Sequence, residues 1–325
     1  MMNTSACHSE KFHYFARKAQ LAYIETLKSS REGISLSSDE MRELDMLVSP
    51  LLLKGQSIDA VFTAHKDEIP CSKTTLYNYV NSCYLTARNI DMPRKVCFKP
   101  RYSHGSRPES FQTFVQGRTY KDYRQYMIDN PDVNAWQMDT VMGGNNGRKC
   151  LFTLLHETSN FMLAYLLDRH TQGDVVNALN NLCETFGIDR FKRLFDVILT
   201  DRGVEFENPY ALECDGNGEI KTKVFYCDPY CSWQKGKIER NHEFIREIIP
   251  KGKDFDRFTQ ADIHLMMTHI NNYPRASLNN STPYDLAKLL LGTDFLKALH
   301  FHKIPQDHVV LKPKLLWEPD DIVND

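Results

Sequence analysis

Three acidic residues, each set in a different kind of segment, constrain this chain more than anything else in it. Asp139 lies in Trp136-Gln-Met-Asp-Thr-Val-Met-Gly143 and Asp201 in Val197-Ile-Leu-Thr-Asp-Arg-Gly203, both at or near the ends of apolar, β-branched runs. Glu239 lies in Gln234-Lys-Gly-Lys-Ile-Glu-Arg-Asn-His242, inside a helical pattern. An acid at a strand end is held rigidly, and its neighbours on both sides can be buried. Three carboxylates converging from such positions repel one another, because like charges close together raise each other's pKa. Two divalent cations remove that conflict and make an oxygen-rich site suited to in-line attack on phosphorus. Taken singly, each residue reads as an ordinary strand-end or helix-surface acid; the ordered set in these contexts does not.

The periodicity around the acids alternates between strand and helix. Gln137 to Met142, Leu151 to Leu155 and Phe161 to Leu167 read as three successive strands, separated by turn-like breaks at Gly143-Gly-Asn-Asn-Gly147 and His156 to Asn160. Thr171 to Phe186 places Val175, Leu179, Leu182 and Phe186 on one helical face, with Gly187 to end it. Phe195 to Thr200 is a fourth strand, Val224 to Cys227 a fifth, and Lys237 to Ile249 a helix stopped by Pro250. The final third is helical: Thr259 to Asn272, then Pro283 to Leu291, with Thr282 as cap and Pro283 at the first helical position.

Five stretches, in this order and with similar gaps, resemble the insertion sequence 30 family of DDE transposases. They are Trp136 to Gly143, Leu199 to Phe206, Asp228 to His242, Ile245 to Gly252, and Pro274 to Leu278 followed by Thr282-Pro283, covering the chain from about Trp136 to Gly292. The resemblance implies that Asp139, Asp201 and Glu239 are the catalytic, metal-binding triad, served by two Mg2+ ions for which Mn2+ can substitute. It also implies a ribonuclease-H-like mixed five-stranded sheet flanked by helices, an α/β fold with which the β-β-β-α-β-β-α order agrees. Between Asp201 and Glu239 lie 37 residues, a few more than the family pattern. The surplus falls in the polar stretch Glu213-Cys-Asp-Gly-Asn-Gly-Glu219, which reads as a turn.

A small all-α domain resembling a helix-turn-helix is expected ahead of this core. Ser38 opens a helix whose Met41, Leu44, Leu47 and Val48 form an apolar face; Ser57 caps a second; Ser72 caps a third, in which Leu76, Val80 and Cys83 are spaced to face inward. Lys73, Thr74, Tyr77 and Asn78 then face outward, towards a major groove. The pattern alone fits a plain helical hairpin equally well, and its place before a transposase-like core favours DNA binding. A formal net charge of −2 hides local asymmetry, since Arg88 to Arg124 holds nine Lys/Arg against three acids. Within it, the Pro-bracketed Met92 to Arg101 reads as an extended linker in which Arg94, Lys95, Lys99 and Arg101 contact DNA phosphates. The organisation expected is therefore 1–37 an N-terminal helical segment, 38–92 the helix-turn-helix-like domain, 93–130 a basic linker, 131–292 the catalytic core and 293–325 a C-terminal tail. Val309 to Trp317 in that tail reads as a strand or a docking arm.

On the helix carrying Glu239, spacing puts His242, Glu243 and Arg246 on the same face. Glu243 is a rival third ligand, with a surface acid beside Arg246 the better reading. Asn241, His242 and Arg246 are candidates for placing the DNA strand or supporting the ligands, and Glu205 for a supporting role near Asp201. Cys227-x-x-x-Cys231 with Cys214 nearby lacks a matched second pair, so buried thiols are expected there rather than zinc. Nine irregularly placed cysteines fit reduced thiols, and no apolar run approaches membrane-spanning length, so a cytoplasmic protein with no membrane partner is expected.

The function implied is cleavage of transposon ends by hydrolysis and joining of the freed 3′-hydroxyl to target DNA by transesterification, carried out by a homo-oligomer on double-stranded DNA. The alternative is a truncated, catalytically idle remnant that only binds DNA. It is motivated by family members carrying a further helix-turn-helix upstream, after which this chain begins near Tyr14 to Gln20. A host nuclease of the same fold is disfavoured by the match at Pro274 to Pro283. Replacing Arg94, Lys95, Lys99 and Arg101 together is expected to weaken DNA binding and to flatten its log–log salt dependence by roughly 0.9 per lost contact. An unchanged slope in a salt titration would demote the stretch to a solvated linker.

Overall fold

The computed structural model describes residues 14–30, 33–93, 113–144 and 147–317. By its internal contacts the chain forms two compact units, residues 1–44 and 45–325. The first holds α1 (Ala16–Ser29), which buries no residue, and the opening turns of α2 (Ser38–Leu53). The cap of α2 is Ser37 and not Ser38. The Glu40 N–H donates to Ser37 Oγ, and Glu40 Oε2 accepts from both the N–H and the hydroxyl of Ser37 at 2.8 Å. This is a reciprocal capping box, which needs Glu three residues after the cap, and only Ser37 has that spacing.

In the second unit, the end of α2 is followed by α3 (Ile58–Ala64) and α4 (Lys73–Asn81), capped as expected by Ser57 and Ser72. Leu76 and Val80 are fully buried, Lys73, Thr74 and Asn78 are exposed and Tyr77 is half-buried. Cys83, expected to face inward, is exposed. The helix ends at Asn81 and the backbone turns left-handed at Cys83 (φ +60°), so helical spacing from Val80 no longer aims its side chain. Arg94, Lys95, Lys99 and Arg101 lie outside the described residues. The end of the stretch expected as linker is a helix, α5 (Tyr120–Asp129), opened by a Thr119/Asp122 capping box. Tyr123 and Tyr126 rest on Phe225, with ring centroids 5.8 and 5.6 Å away.

Five strands form one sheet: β1 (Ala135–Met142), β2 (Cys150–His156), β3 (Met162–Leu167), β4 (Val197–Thr200) and β5 (Lys223–Tyr226). Their order is β3-β2-β1-β4-β5, with β2 antiparallel to both of its neighbours, β1 and β3, and with β4 and β5 parallel to β1. This is the expected ribonuclease-H-like sheet. The crossover from β3 to β4 runs through α6 (Gln172–Phe186) and α7 (Ile188–Leu194), and α8 (Pro209–Glu213) precedes β5. After β5 come α9 (Gly236–Ile248), α10 (Gln260–Asn271), α11 (Pro283–Leu290) and α12 (Thr293–Ala298). Every residue of β2 is buried, as its continuous apolar run requires of a strand covered on both faces. The edge strand β3 is closed by amide side chains of α10: Asn271 exchanges bonds of 2.9 and 2.8 Å with the Met162 backbone, and Gln260 bonds Leu166 N and Ala164 O. A covered edge cannot template pairing with another chain.

An aromatic cluster ties the C-terminal stretch into this core. The fully buried Trp136 donates its indole N–H to the Leu194 carbonyl (2.7 Å) and stacks on Phe195, while Phe295 of α12 stacks on Phe186. Further on, the stretch expected as a strand or docking arm adopts the second form. Leu311 N–H donates to the Lys54 carbonyl (2.7 Å), the buried Gln56 amide donates to Gln306 O and Val309 O, and the Gln306 amide donates to Ala60 O. The helical segment after α2 is thereby stitched to the C-terminal arm by backbone groups that would otherwise be left unpaired. No helix among the described residues is long and apolar enough to cross a membrane.

Gly55 is where the arm crosses. Its φ is +87°, and a Cβ there would lie 2.7 Å from the Leu311 carbonyl oxygen. Gly55→Ala is expected to lower unfolding free energy by about 2 kcal/mol, through left-handed strain and loss of the Leu311–Lys54 bond. Urea unfolding of the two proteins checks this, and equal stability would mean that the arm is not fastened there.

Candidate active site

The register of the parallel pair β1–β4 places the two aspartates. Ala135, Trp136 and Gln137 lie opposite Val197, Ile198 and Leu199. Two residues further on, Asp139 lies inside β1, which runs on to Met142, and not at its end as expected, while Asp201 follows directly on the last residue of β4; the shared register sets the two side by side. Thr200 Oγ fastens the pair, donating to Met138 O at 3.2 Å.

Between the two carboxylates sits an ammonium group that sequence reasoning missed. Lys235 Nζ lies 3.1 Å from Asp139 Oδ1 and 2.7 Å from Asp201 Oδ2, and its side chain is only 6% exposed. Burial raises the Asp139 carboxyl above its ordinary range; Lys235 pulls it down and Asp201 pushes it up further. Burial works against the Lys235 charge, but the two aspartates outweigh it and hold the ammonium above the usual lysine value. Glu239 responds to the same three charges. Burial raises its carboxyl, Lys235 opposes, and Asp139 and Asp201 add to the rise. Its carboxylate makes no hydrogen bond among the described residues.

Glu239 is delivered by the first turn of α9, and that turn is anchored by a buried residue of β1. Gln137 Oε1 accepts from the Ile238 N–H (2.9 Å), one of the amides a helix start leaves unpaired, and the Gln137 amide donates to Glu157. The turn before α9 is clamped as well: Gln234 exchanges bonds of 2.7 and 2.8 Å with Asp228, and Arg202 Nε donates to Cys227 O. These clamps fix the backbone of Lys235. The signal that could have found it was its place four residues before Glu239, but Lys237 in the same motif is no less plausible on sequence.

Four further candidates on α9 divide between two sides. His242 and Arg246 are on the carboxylate side. Thr153 spends its hydroxyl hydrogen on the Asp139 carbonyl (3.0 Å), so His242 Nε2–H donates to Thr153 Oγ (2.9 Å) and the bare Nδ1 lies 3.9 Å from Asp139 Oδ2. Burial, then the charges of Lys235 and Arg246, push the imidazole down to about 3, so it is neutral at pH 7. Arg246 donates to the Met142 carbonyl at the end of β1 (2.6 Å). Asn241 and Glu243 face elsewhere. They line a cavity of about 940 Å3, together with Arg240, Phe244 and Arg275, that none of Asp139, Asp201 and Glu239 touches. Asn241 is buried there, donating to Lys237 O and accepting from Arg275.

Glu205 sits beneath the pair. Buried at 5% exposure, its Oε1 accepts from Thr140 Oγ (2.8 Å) and from His170 Nε2 (2.7 Å), which ties the residue after Asp139 to the turn after Asp201. His170 and Thr140 are also additions to the candidates read from sequence. Cys227 is buried at the end of β5, burial pushing its thiol up to about 12, and every described cysteine is free.

Among the described residues no three His, Cys, Asp or Glu side chains already converge as a ready cation cage. Two of the three triad carboxylates do share one cation, the Lys235 ammonium, and Glu239 feels both of them. An all-carboxylate donor set suits a hard divalent ion such as magnesium. The chemistry of the residues therefore fits the group.

Gly203 reports how tight the arrangement is. A Cβ there would lie 2.4 Å from Glu205 Oε2 and 3.1 Å from Asp201 Oδ1. Glu205 is pinned by His170 and Thr140 and cannot yield cheaply. Gly203→Ala is expected to cost about 1–3 kcal/mol by overpacking and to weaken Mn2+ binding by displacing Asp201. Urea unfolding and Mn2+ titration check it; wild-type values in both would contradict this packing.

No family model matches the chain. Among curated proteins it is 30% identical over 276 residues to a putative integrase of a Spiroplasma virus, covering 82% of this chain and 79% of that one. It is 26% identical over 193 residues to the transposase for insertion sequence element IS4351 of Bacteroides fragilis, covering 59% of this chain and 56% of the relative. It is 28% identical over 164 residues to the transposase InsI of IS30A from Escherichia coli strain K12, covering 50% of this chain and 40% of the relative. The match thus spans about half the length of these two transposases. Among solved structures, the catalytic core domain of BIV integrase covers 50% of this chain and 97% of its own length at 19% identity, with a TM-score of 0.35. The chain belongs to the DDE transposases of the insertion sequence 30 type.

Proposed function

We propose that this protein cuts the ends of a mobile DNA element and joins them to a target, using one carboxylate site for both steps. The observation that supports this most is the pairing of Asp139 on β1 with Asp201 after β4 around the Lys235 ammonium, beside the anchored start of α9 that carries Glu239. Two Mg2+ ions, or Mn2+ in their place, held by Asp139, Asp201 and Glu239, would neutralise the phosphate and lower the pKa of the attacking oxygen. The chain's own part is to hold three carboxylates rigidly and partly out of water, where charge interactions are strong.

In the first step water adds to a phosphorus at the element's end, the P–O3′ bond breaks, and the 3′-oxygen leaves and takes up a proton. In the second that 3′-hydroxyl attacks a target phosphorus, and a target 3′-oxygen departs. The first step is a downhill hydrolysis and the second makes one phosphodiester for the one it breaks, so no external energy source is needed. His242, neutral and fixed through Thr153, and Arg246, bonded to the end of β1, would orient groups around Asp139. Lys73, Thr74, Tyr77 and Asn78 on α4 would read base edges, and Arg94, Lys95, Lys99 and Arg101 would neutralise backbone phosphates. Because both element ends must be handled together, the working form is a homo-oligomer on double-stranded DNA, acting in the cytoplasm.

Asp139→Asn, Asp201→Asn and Glu239→Gln are each expected to lower Mg2+-dependent cleavage of end-containing DNA by more than roughly a hundredfold, beyond what losing a supporting partner costs. Fold and DNA binding should persist. Gel assays with duplexes carrying the DNA that flanks the gene check this. Strong cleavage by Glu239→Gln would move the third ligand elsewhere. Wild-type protein that binds such duplexes but never cuts them would be a DNA-binding remnant.

A further inference from the structure

We propose that Lys235 is the built-in counter-ion of this site: its ammonium competes with divalent cations for Asp139 and Asp201 and must swing out when they bind. The inference rests on the carboxylate site proposed above and adds a residue and a direction of control to it.

The geometry sets the two occupants against each other. Lys235 Nζ is 3.1 Å from Asp139 Oδ1 and 2.7 Å from Asp201 Oδ2, so both aspartates already spend an oxygen on a charge-assisted bond. A magnesium ion binds carboxylate oxygen at about 2.0–2.1 Å and keeps near-ideal octahedral geometry. To take those oxygens it must displace the ammonium or bear the repulsion of a second positive charge a few ångströms away. In its present place the ammonium does what a cation does there, which is to let two neighbouring carboxylates remain ionised.

The side chain also has somewhere to go. Lys235 closes the short 3-10 turn Ser232–Lys235, and Gly236 follows it. The backbone of that turn is clamped through Gln234 and Asp228, so movement falls to the flexible four-carbon stem. The Lys235 side chain is 6% exposed, but that of Asp201 is 44% exposed, so the way out runs past Asp201 to solvent. An ammonium displaced in that direction stays at the mouth of the site.

The sign of one measurement separates this role from that of a brace. A competitor, once removed, leaves a site that binds cations more tightly; a brace, once removed, leaves one that binds them less well. Lys235→Met and Lys235→Gln are expected to bind Mn2+ at least about tenfold more tightly than wild type, read from free Mn2+ by paramagnetic resonance. Lys235→Arg, which keeps the charge, should stay near wild type. Without divalent cation both neutral variants should melt below wild type, and saturating Mn2+ should raise their melting temperatures by more than it raises that of wild type. Two neutral variants are used so that one which fails to fold does not decide the matter. Asp139→Asn is the control for the site itself. If it loses Mn2+ binding while the neutral Lys235 variants bind no more tightly than wild type, the role of Lys235 is overturned and the carboxylate site stands. If Asp139→Asn binds Mn2+ as wild type does, the carboxylate site itself fails.

Discussion

Two carboxylates side by side on neighbouring parallel strands repel each other, and much of the structure around the sheet can be understood as the means of tolerating that. The parallel register of β1 and β4 creates the conflict, since the alignment of Gln137 with Leu199 carries Asp139 and Asp201 to the same level two residues on. Slipping by one residue would turn every side chain of a strand to the opposite face, so the apolar packing of Trp136, Ile198 and Leu199 fixes the position of both acids. Lys235 then supplies the compensating charge, at a place where burial alone would favour a neutral lysine. The clamps around Lys235 and at the start of α9 serve the same end, because a counter-charge works only if it is held.

Around this centre the fold uses buried amide and hydroxyl side chains as fasteners. Gln137 joins β1 to α9, Thr153 joins β2 to His242, Thr140 and His170 join β1 to Glu205, and Asn271 closes β3. Each satisfies a polar group that would be costly to bury unpaired. A similar logic holds the C-terminal arm against the segment after α2, through Gln56, Gln306 and the Leu311–Lys54 bond. The arm therefore belongs to the same compact unit as the site.

What could be read from the chain alone was what depends on neighbours in sequence. Strand and helix periods locate β1 to β5 and α9 to within a residue or two, and Ser57, Ser72 and Thr282 cap the helices expected of them, because a cap acts across three residues. The errors had local causes too. Ser38 was chosen where Ser37 has the Glu three residues on, helical spacing was carried past the end of α4 to Cys83, and the capping box that opens α5 was overlooked. Contacts across long separations left no mark. Gln137 and Ile238 are 101 residues apart, and nothing in either neighbourhood announces the bond between them. Lys235 was hidden for another reason: Lys237 has the same chemistry in the same motif, and only the fold decides which lysine enters the site and which donates to the Glu157 carbonyl at the surface.

The central claim is that Asp139 and Asp201 form a divalent-cation site to which Glu239 contributes. Anomalous scattering from crystals soaked in Mn2+ tests it most directly. The expected result is a peak bonded to an oxygen of Asp139 and an oxygen of Asp201, with Lys235 Nζ moved away from both and the peak lost in Asp139→Asn. Crystals that show no peak at this pair, or whose strongest peak lies on cysteine or histidine elsewhere, would contradict it.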